Sequence, residues 1–337
     1  MSGRVLVARL DDAGDVLLAG PAVRAVSARA DEVTLLAGPR GRAAAELLPG
    51  VDRVVVWRAP WIDHRPPPVS RRDVDDLIGQ VRGIDEAVIL TSFHQSALPL
   101  ALLLRLAGVG RVSAISNDYP GSLLDVRHVV DEGLDVPEPE RMLAVARAAG
   151  FELPPGDDGR LAVRRPLPDV SRLGLGPGPY VVVHPGTSAP ARTWPAERNR
   201  EAVRELADDG HRVVVTGMER ELTAYVAAGA PGAALDLGGS TTLAQLAAVI
   251  EGASVLVAGN TGPAHLAAAV GTPVVSLFAP VVPAGRWAPY RVLTVLLGDQ
   301  DAPCRDSRAR VCPVPGHPCL AQVTSEQVVK AVRELNQ

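Results

Sequence analysis

A chain of 337 residues is long for one domain and comfortable for two, and 47% hydrophobic residues let each half bury its own core. Aromatics make up only 3%, so Ala, Val and Leu must fill those cores. A net charge of -4 without any block of like charge argues against a general nucleic-acid-binding or basic membrane-surface role. No apolar run reaches the roughly 20 residues that span a bilayer. No basic segment followed by a long apolar stretch opens the sequence. A cytoplasmic protein is expected, with peripheral membrane contact left open because composition need not reveal it.

In chain order, short β-branched runs at residues 4–8, 32–36, 53–57, 87–90 and 111–115 predict strands. Ala- and Leu-rich stretches at helical spacing lie between most of them, as at 96–106. Near-continuous apolar strands alternating with helices predict a parallel sheet covered on both faces. Turn-rich segments at 153–159 and 174–179 interrupt the pattern. The Gly-rich second segment precedes a strand and lacks the spacing of a dinucleotide fingerprint, so it reads as linker. The alternation then restarts, with strands predicted at 180–183, 212–215, 254–257 and 273–277 and helices at 196–208, 243–251 and 263–270. A last helix at 325–335 has Thr324 or Ser325 as its N-cap.

The expected fold class is therefore α/β, with two doubly wound, Rossmann-like domains. They are placed at residues 1–165 and 166–322, followed by a C-terminal helix at 323–337 that is free to pack back on the first domain. Open parallel sheets bind ligands at the carboxyl ends of their strands, so a cleft between those edges is the expected site.

The strongest local signal spans residues 255–271. An apolar strand runs into Gly259, Asn260, Thr261 and Gly262, then into an Ala-rich helix. Pro263 suits the first helical turn and Gly271 the left-handed C-terminal cap. The N–H groups of Thr261, Gly262 and Ala264 are expected to be free and, with the helix dipole, to attract an anion. His265 falls in the same turn, within reach of a phosphate oxygen. A capped core helix without a ligand has the same local pattern.

A second candidate runs from His184 to Pro195, where the Thr187 and Ser188 hydroxyls and the fixed charge of Arg192 can grip a diphosphate. A turn with an exposed Arg is its alternative, but two such loops in one sheet reinforce each other. A third spans residues 10–22. Asp15, at the start of a helical pattern, is either an N-cap or a carboxylate able to take a proton from an attacking hydroxyl. Asp11 and Asp12 read as solvated turn residues, and Pro21 requires the helix to kink or start late. His94, after a first-domain strand, is a candidate acceptor contact or simply part of a capped turn. Cys304, Cys312 and Cys319 include no Cys-x-x-Cys pair, so packed thiols or one local disulfide are expected and a metal site is not.

Taken together, these segments resemble glycosyltransferase family 9, the heptosyltransferase-type enzymes, through most of the chain. The pieces are Gly14-Asp15-Val16 with Pro21-Ala22-Val23, His184-Pro185-Gly186-Thr187 with Arg192-Thr193-Trp194-Pro195, Thr242 to Leu246, Gly259 to Ala269, Gly271 to Phe278, and the Cys-bearing tail before Val323-Thr324. The resemblance implies a GT-B architecture and an inverting, metal-independent transfer with no cofactor. It makes Asp15 the general base and Arg192 the residue that neutralises the donor diphosphate. Thr187 and Ser188, with the backbone of Thr261 and Gly262, would hold the phosphates beside Asn260 and His265. Leu243 would cradle the base, and Glu219 or Glu221 the ribose. Asn260 stands where Asp is common in the family, so that position carries no charge here.

The donor implied is a nucleotide diphosphate sugar, with ADP-heptose foremost. The acceptor is a glycan, a lipid-linked glycan or a small molecule, and a monomer is expected. Two other classes fit the phosphate loops. A nucleotide-sugar epimerase of similar fold wants several acid/base groups around the sugar, whereas only Asp15 stands out. A non-catalytic nucleotide-sugar binding protein needs no base at all.

Overall fold

The computed structural model describes residues 3–63 and 65–336; Met1, Ser2, His64 and Gln337 lie outside the described residues. The chain divides into two compact units, Met1–Arg164 and Arg165–Gln337. The first contains β1 (Arg4–Arg9), α1 (Ala13–Leu18), α2 (Gly20–Ser27), β2 (Glu32–Ala37), α3 (Arg42–Leu47), β3 (Arg53–Val56), α4 (Arg71–Gln80), β4 (Glu86–Ile89), α5 (Leu98–Leu106), β5 (Arg111–Ile115), β6 (Val126–His128) and α6 (Glu138–Ala148). The second contains β7 (Val181–His184), α7 (Ala196–Asp208), β8 (Val213–Val215), α8 (Arg220–Ala227), β9 (Ala234–Asp236), α9 (Leu243–Glu251), β10 (Val255–Gly259), α10 (Gly262–Val270), β11 (Val274–Leu277), α11 (Ala284–Trp287), β12 (Thr294–Leu297), α12 (Pro318–Ala321) and α13 (Ser325–Leu335).

Each unit holds one six-stranded sheet, ordered β3-β2-β1-β4-β5-β6 in the first and β12-β11-β10-β7-β8-β9 in the second. Every pairing is parallel. The second order, read from its other edge, is the first one repeated, and both are the doubly wound order of a Rossmann-type sheet. The central strands are buried on both faces, which is why β1, β7 and β10 are nearly unbroken runs of small and branched apolar residues. In such a sheet the connections leave the central pair in opposite directions, opening a crevice at its carboxyl end. That point lies between β1 and β4 in the first unit and between β7 and β10 in the second.

The first unit's core joins Leu6, Leu36, Leu77, Leu100 and Leu104. The second gathers Val181, Val183, Val255 and Val257 around Trp194, whose indole N–H donates to the Val323 carbonyl at 3.2 Å. Helix α13 packs on α7 within this same unit. It starts from a capping box in which Thr324 and Gln327 satisfy each other's backbone N–H groups. Pro21 ends one helix and opens another: α1 stops at Leu18 and α2 begins at Gly20, with the proline in its first turn.

The sequence pattern misses β6, β9 and β12. All three are sheet edges of three or four residues with little burial, so the apolar period that marks a strand is absent. Among the described residues, no helix is long and apolar enough to cross a membrane.

Candidate active site

In the first unit, the crevice is organised around a buried cation that the sequence does not single out. Arg9, the last residue of β1, is 0% exposed. Its Nη2 donates to Asp15 Oδ1 at 3.1 Å and to Ser92 Oγ at 2.8 Å, and its Nε lies 3.0 Å from Asp11 Oδ2. Glu138, also 0% exposed and at the start of α6, approaches Nη2 to 3.8 Å. Burial works against the charge on Arg9, but the pull of Asp11, Asp15 and Glu138 outweighs it and raises its pKa. The guanidinium thus ties together β1, α1, the segment after β4 and α6.

Asp15 sits in the first turn of α1, but Asp12 holds the N-cap position, without a side-chain cap bond. The capping role left open for Asp15 is therefore not the one it takes. It is instead a partly exposed carboxylate gripped through Oδ1 by Arg9. The reading of Asp11 as a solvated turn residue is corrected: its side chain is nearly buried, bonded by Gln95 and paired with Arg9. Burial, opposed by Arg9 and reinforced by Asp15, pushes the Asp11 carboxyl up to about 6. Asp12 is ion-paired with Arg40. His94 lies exposed in the segment after β4, its ring edge-on to Phe93 at 5.2 Å between centroids.

In the second unit, two loops meet at the β7/β10 crevice. The Thr187 hydroxyl donates to the Ala189 carbonyl at 2.8 Å and lies 2.7 Å from the Thr193 hydroxyl, so it is committed to shaping its own loop. Ser188 is exposed, and Arg192 ends a short 3-10 turn, Pro190–Arg192, with its Nε buried. A Cβ on Gly259 would stand 2.9 Å from the Arg192 carbonyl oxygen and 3.0 Å from Thr187 Cγ2. Only glycine lets the two loops touch at this point. His184, at the end of β7, faces the Thr216 hydroxyl at 2.9 Å; burial drops its pKa to about 4, which leaves the imidazole neutral.

Thr261 is the N-cap of α10, with extended backbone and no side-chain cap bond. One expectation fails here. The Ala264 N–H is not free, because it donates to the Thr261 carbonyl at 3.0 Å. The N–H groups of Thr261 and Gly262 remain at the turn that a helix leaves without intrahelical acceptors. Asn260 and His265 are each 5% exposed. The Asn260 amide donates to the Ala279 carbonyl at 3.4 Å, while its Oδ1 is buried with no hydrogen-bond partner. Gly271 closes the helix in the left-handed conformation, φ 85°.

Elsewhere in this unit, Leu243 is the first residue of α9, behind a Thr242–Gln245 capping box. Glu219 is the N-cap of α8 and Glu221 lies in its first turn, both exposed at the carboxyl end of β8. The three cysteines are free thiols. Cys304 and Cys319 are buried in the core with Cys312 packed against them. Burial first, then the neighbouring thiols, pushes Cys319 up to about 12, so it stays protonated. Among the described residues, no three His, Cys, Asp or Glu side chains are grouped to hold a metal ion.

Arg9, Ser92, Gln95 and Glu138 are the site residues that sequence reasoning misses. The one available signal was an Arg ending an otherwise apolar strand.

The model of glycosyltransferase family 9 (heptosyltransferase) matches residues 87–317. No match is found among curated proteins. Similar solved structures include a family 9 glycosyltransferase from Veillonella parvula, at 18% identity and TM-score 0.77, covering 99% of this chain and 97% of that one. The ADP-heptose LPS heptosyltransferase II of E. coli is similar at 19% identity and TM-score 0.72, covering 99% and 98%. E. coli heptosyltransferase WaaC with ADP-2-deoxy-2-fluoro heptose is similar at 20% identity and TM-score 0.70, covering 98% and 99%. These likenesses establish the fold, two Rossmann-like units of the GT-B kind. With the family model spanning more than half of the sequence, the chain belongs to glycosyltransferase family 9, the heptosyltransferase family, and is a glycosyltransferase.

Proposed function

We propose that this enzyme transfers heptose from ADP-heptose to an acceptor hydroxyl with inversion and without a metal ion. The observation that carries the reading is the meeting of the Thr187–Arg192 loop with the N-terminus of α10 across Gly259. The two loops that meet there carry an Arg, hydroxyl side chains and a helix N-terminus, and this supports the reading because a departing diphosphate requires such groups. WaaC, a structure of similar fold, is described with ADP and with an ADP-heptose analogue, which supports this donor class.

The chemistry follows from charge. Transfer builds oxocarbenium character at the anomeric carbon and negative charge on the leaving phosphate oxygen. Arg192 and the α10 N-terminus take up the second. Asp15, with Oδ1 occupied by Arg9, presents its other oxygen to the acceptor. The acceptor oxygen bonds to the anomeric carbon, its proton passes to Asp15, and the carbon–phosphate oxygen bond breaks with its electron pair on the diphosphate. One displacement inverts the centre. Ser188, Asn260 and His265 are assigned to the diphosphate and sugar, Leu243 to the base, Glu219 or Glu221 to the ribose, and His94 to the acceptor. The acceptor is a glycan, lipid-linked or small-molecule alcohol, and the enzyme acts as a monomer.

The test is Asp15→Asn. Turnover is expected to fall about 10²- to 10⁴-fold while ADP still binds. Near-normal transfer by this variant would refute the mechanism. Strong inhibition by EDTA would refute the metal-free assignment, and isomerisation of ADP-heptose without an acceptor would move the protein to an epimerase.

A further inference from the structure

The cysteine-bearing segment between β12 and α13 has no part in the transfer just described, yet it is fastened to the Ser188–Arg192 loop at three points. The Ala191 N–H donates to the Arg310 carbonyl at 2.9 Å. Arg310 Nη2 donates to the Ser188 carbonyl at 2.7 Å. His317 Nε2 lies 3.0 Å from the Ala191 carbonyl. A carbonyl can only accept, so this nitrogen carries the proton. Ala191 thus has both its backbone groups held from the segment, one residue before Arg192.

The segment is itself rigidly seated. Cys304 and Cys319 are in the core, and Cys312 packs against them and donates to the Val314 carbonyl at 3.4 Å. Asp306 and Arg308 donate their N–H groups to the Pro280 and Val281 carbonyls at 2.8 Å and 2.7 Å. His317 stands at φ 49°, a left-handed conformation that turns the chain into α12.

We infer that the segment is a brace and that Arg310 and His317 are positioning residues that set Arg192 against the donor diphosphate. Neither needs to touch the donor. A guanidinium contributes most to a diphosphate when its backbone is already fixed, because no ordering remains to be done on binding. The thiols serve the brace as packing, which explains three free cysteines without paired spacing. The inference rests on the donor role assigned to Arg192.

Binding of ADP to the full-length protein, followed by calorimetry, tests it through a mutant cycle. Arg310 is exposed and Arg310→Ala leaves the core untouched. Arg310→Ala combined with His317→Ala is expected to weaken ADP about tenfold, and His317→Gln, which keeps an N–H donor, to recover part of the loss. In an Arg192→Ala background the same pair should cost less than about twofold, since the group they position is gone. Undiminished weakening in that background, or no weakening in the native one, overturns the brace while leaving the donor assignment standing. An Arg192→Ala variant that binds ADP as tightly as the native protein, or a native protein that binds no ADP, overturns the donor assignment and the brace with it.

Discussion

At Arg9 one guanidinium, itself shut off from solvent, faces three carboxylates, of which Glu138 is buried and Asp15 partly exposed. Removing one partner from a buried ionic cluster leaves charge without compensation, so Arg9→Met should destabilise the protein by about 3–5 kcal/mol in chemical denaturation. Arg9→Lys should fold better yet still lower turnover, because an ammonium lacks the planar fork that reaches Asp15 and Ser92 together. Two half-buried groups give stability a pH dependence of opposite sign. Asp11 titrates near 6 in the folded protein against an ordinary 3.8, so its contribution is full below pH 3.8 and is lost as pH rises through about 6. His184 titrates near 4 against an ordinary 6.5, so its contribution is full above pH 6.5 and is lost as pH falls through about 4. Melting temperatures followed from pH 4 to 7.5 should show Asp11→Asn declining less toward neutrality than the native protein. His184→Asn should decline less toward acid; parallel profiles for all three proteins would contradict both assignments. Arg9 was not legible as a site residue because a strand-ending Arg ordinarily points to solvent, and Glu138, which helps hold its charge, is distant in sequence.

Among the elements, the turn from β10 into α10 carries the sharpest consequence. Gly259→Ala would drive a methyl group against the Arg192 carbonyl and the Thr187 side chain, at 2.9 Å and 3.0 Å before relaxation. The loops must part, so ADP affinity should fall about tenfold or more with only a modest loss of stability, measured as Kd against melting temperature. Gly271→Ala tests the other end of the same helix. Its φ of 85° with open space around it predicts a cost of about 1 kcal/mol and little change in ADP binding. The central strands and the helices with apolar stripes were readable in the sequence because burial imposes a period on them. The edge strands were not, because half-exposed backbone imposes none. The Ala264 N–H eluded the sequence for a related reason: motif spacing locates a helix start, but the way the first turn closes on the Thr261 carbonyl is set by the folded backbone.

At the scale of the whole molecule, two units repeat one strand order, and each carries its candidate site residues at the point where that order reverses. A donor that binds only the folded state should raise the melting temperature of the chain. At a hundredfold excess over Kd the gain is about 2.7 kcal/mol, and a thermal-shift series of ADP, ADP-heptose and other nucleotide sugars should rank ADP-heptose first. By itself the sequence determined the α/β class and the two tandem units, because hydrophobic period and turn chemistry are local properties, and the order of its motifs carried the resemblance to the family. Tertiary structure alone decided what the candidate site residues are joined to: Asp15 to a buried Arg9 cage drawn from four elements, and the Arg192 loop to Gly259 and to a cysteine-bearing segment far along the chain. Such contacts depend on which strands lie side by side, and strand order is a property of the folded sheet that no local pattern encodes.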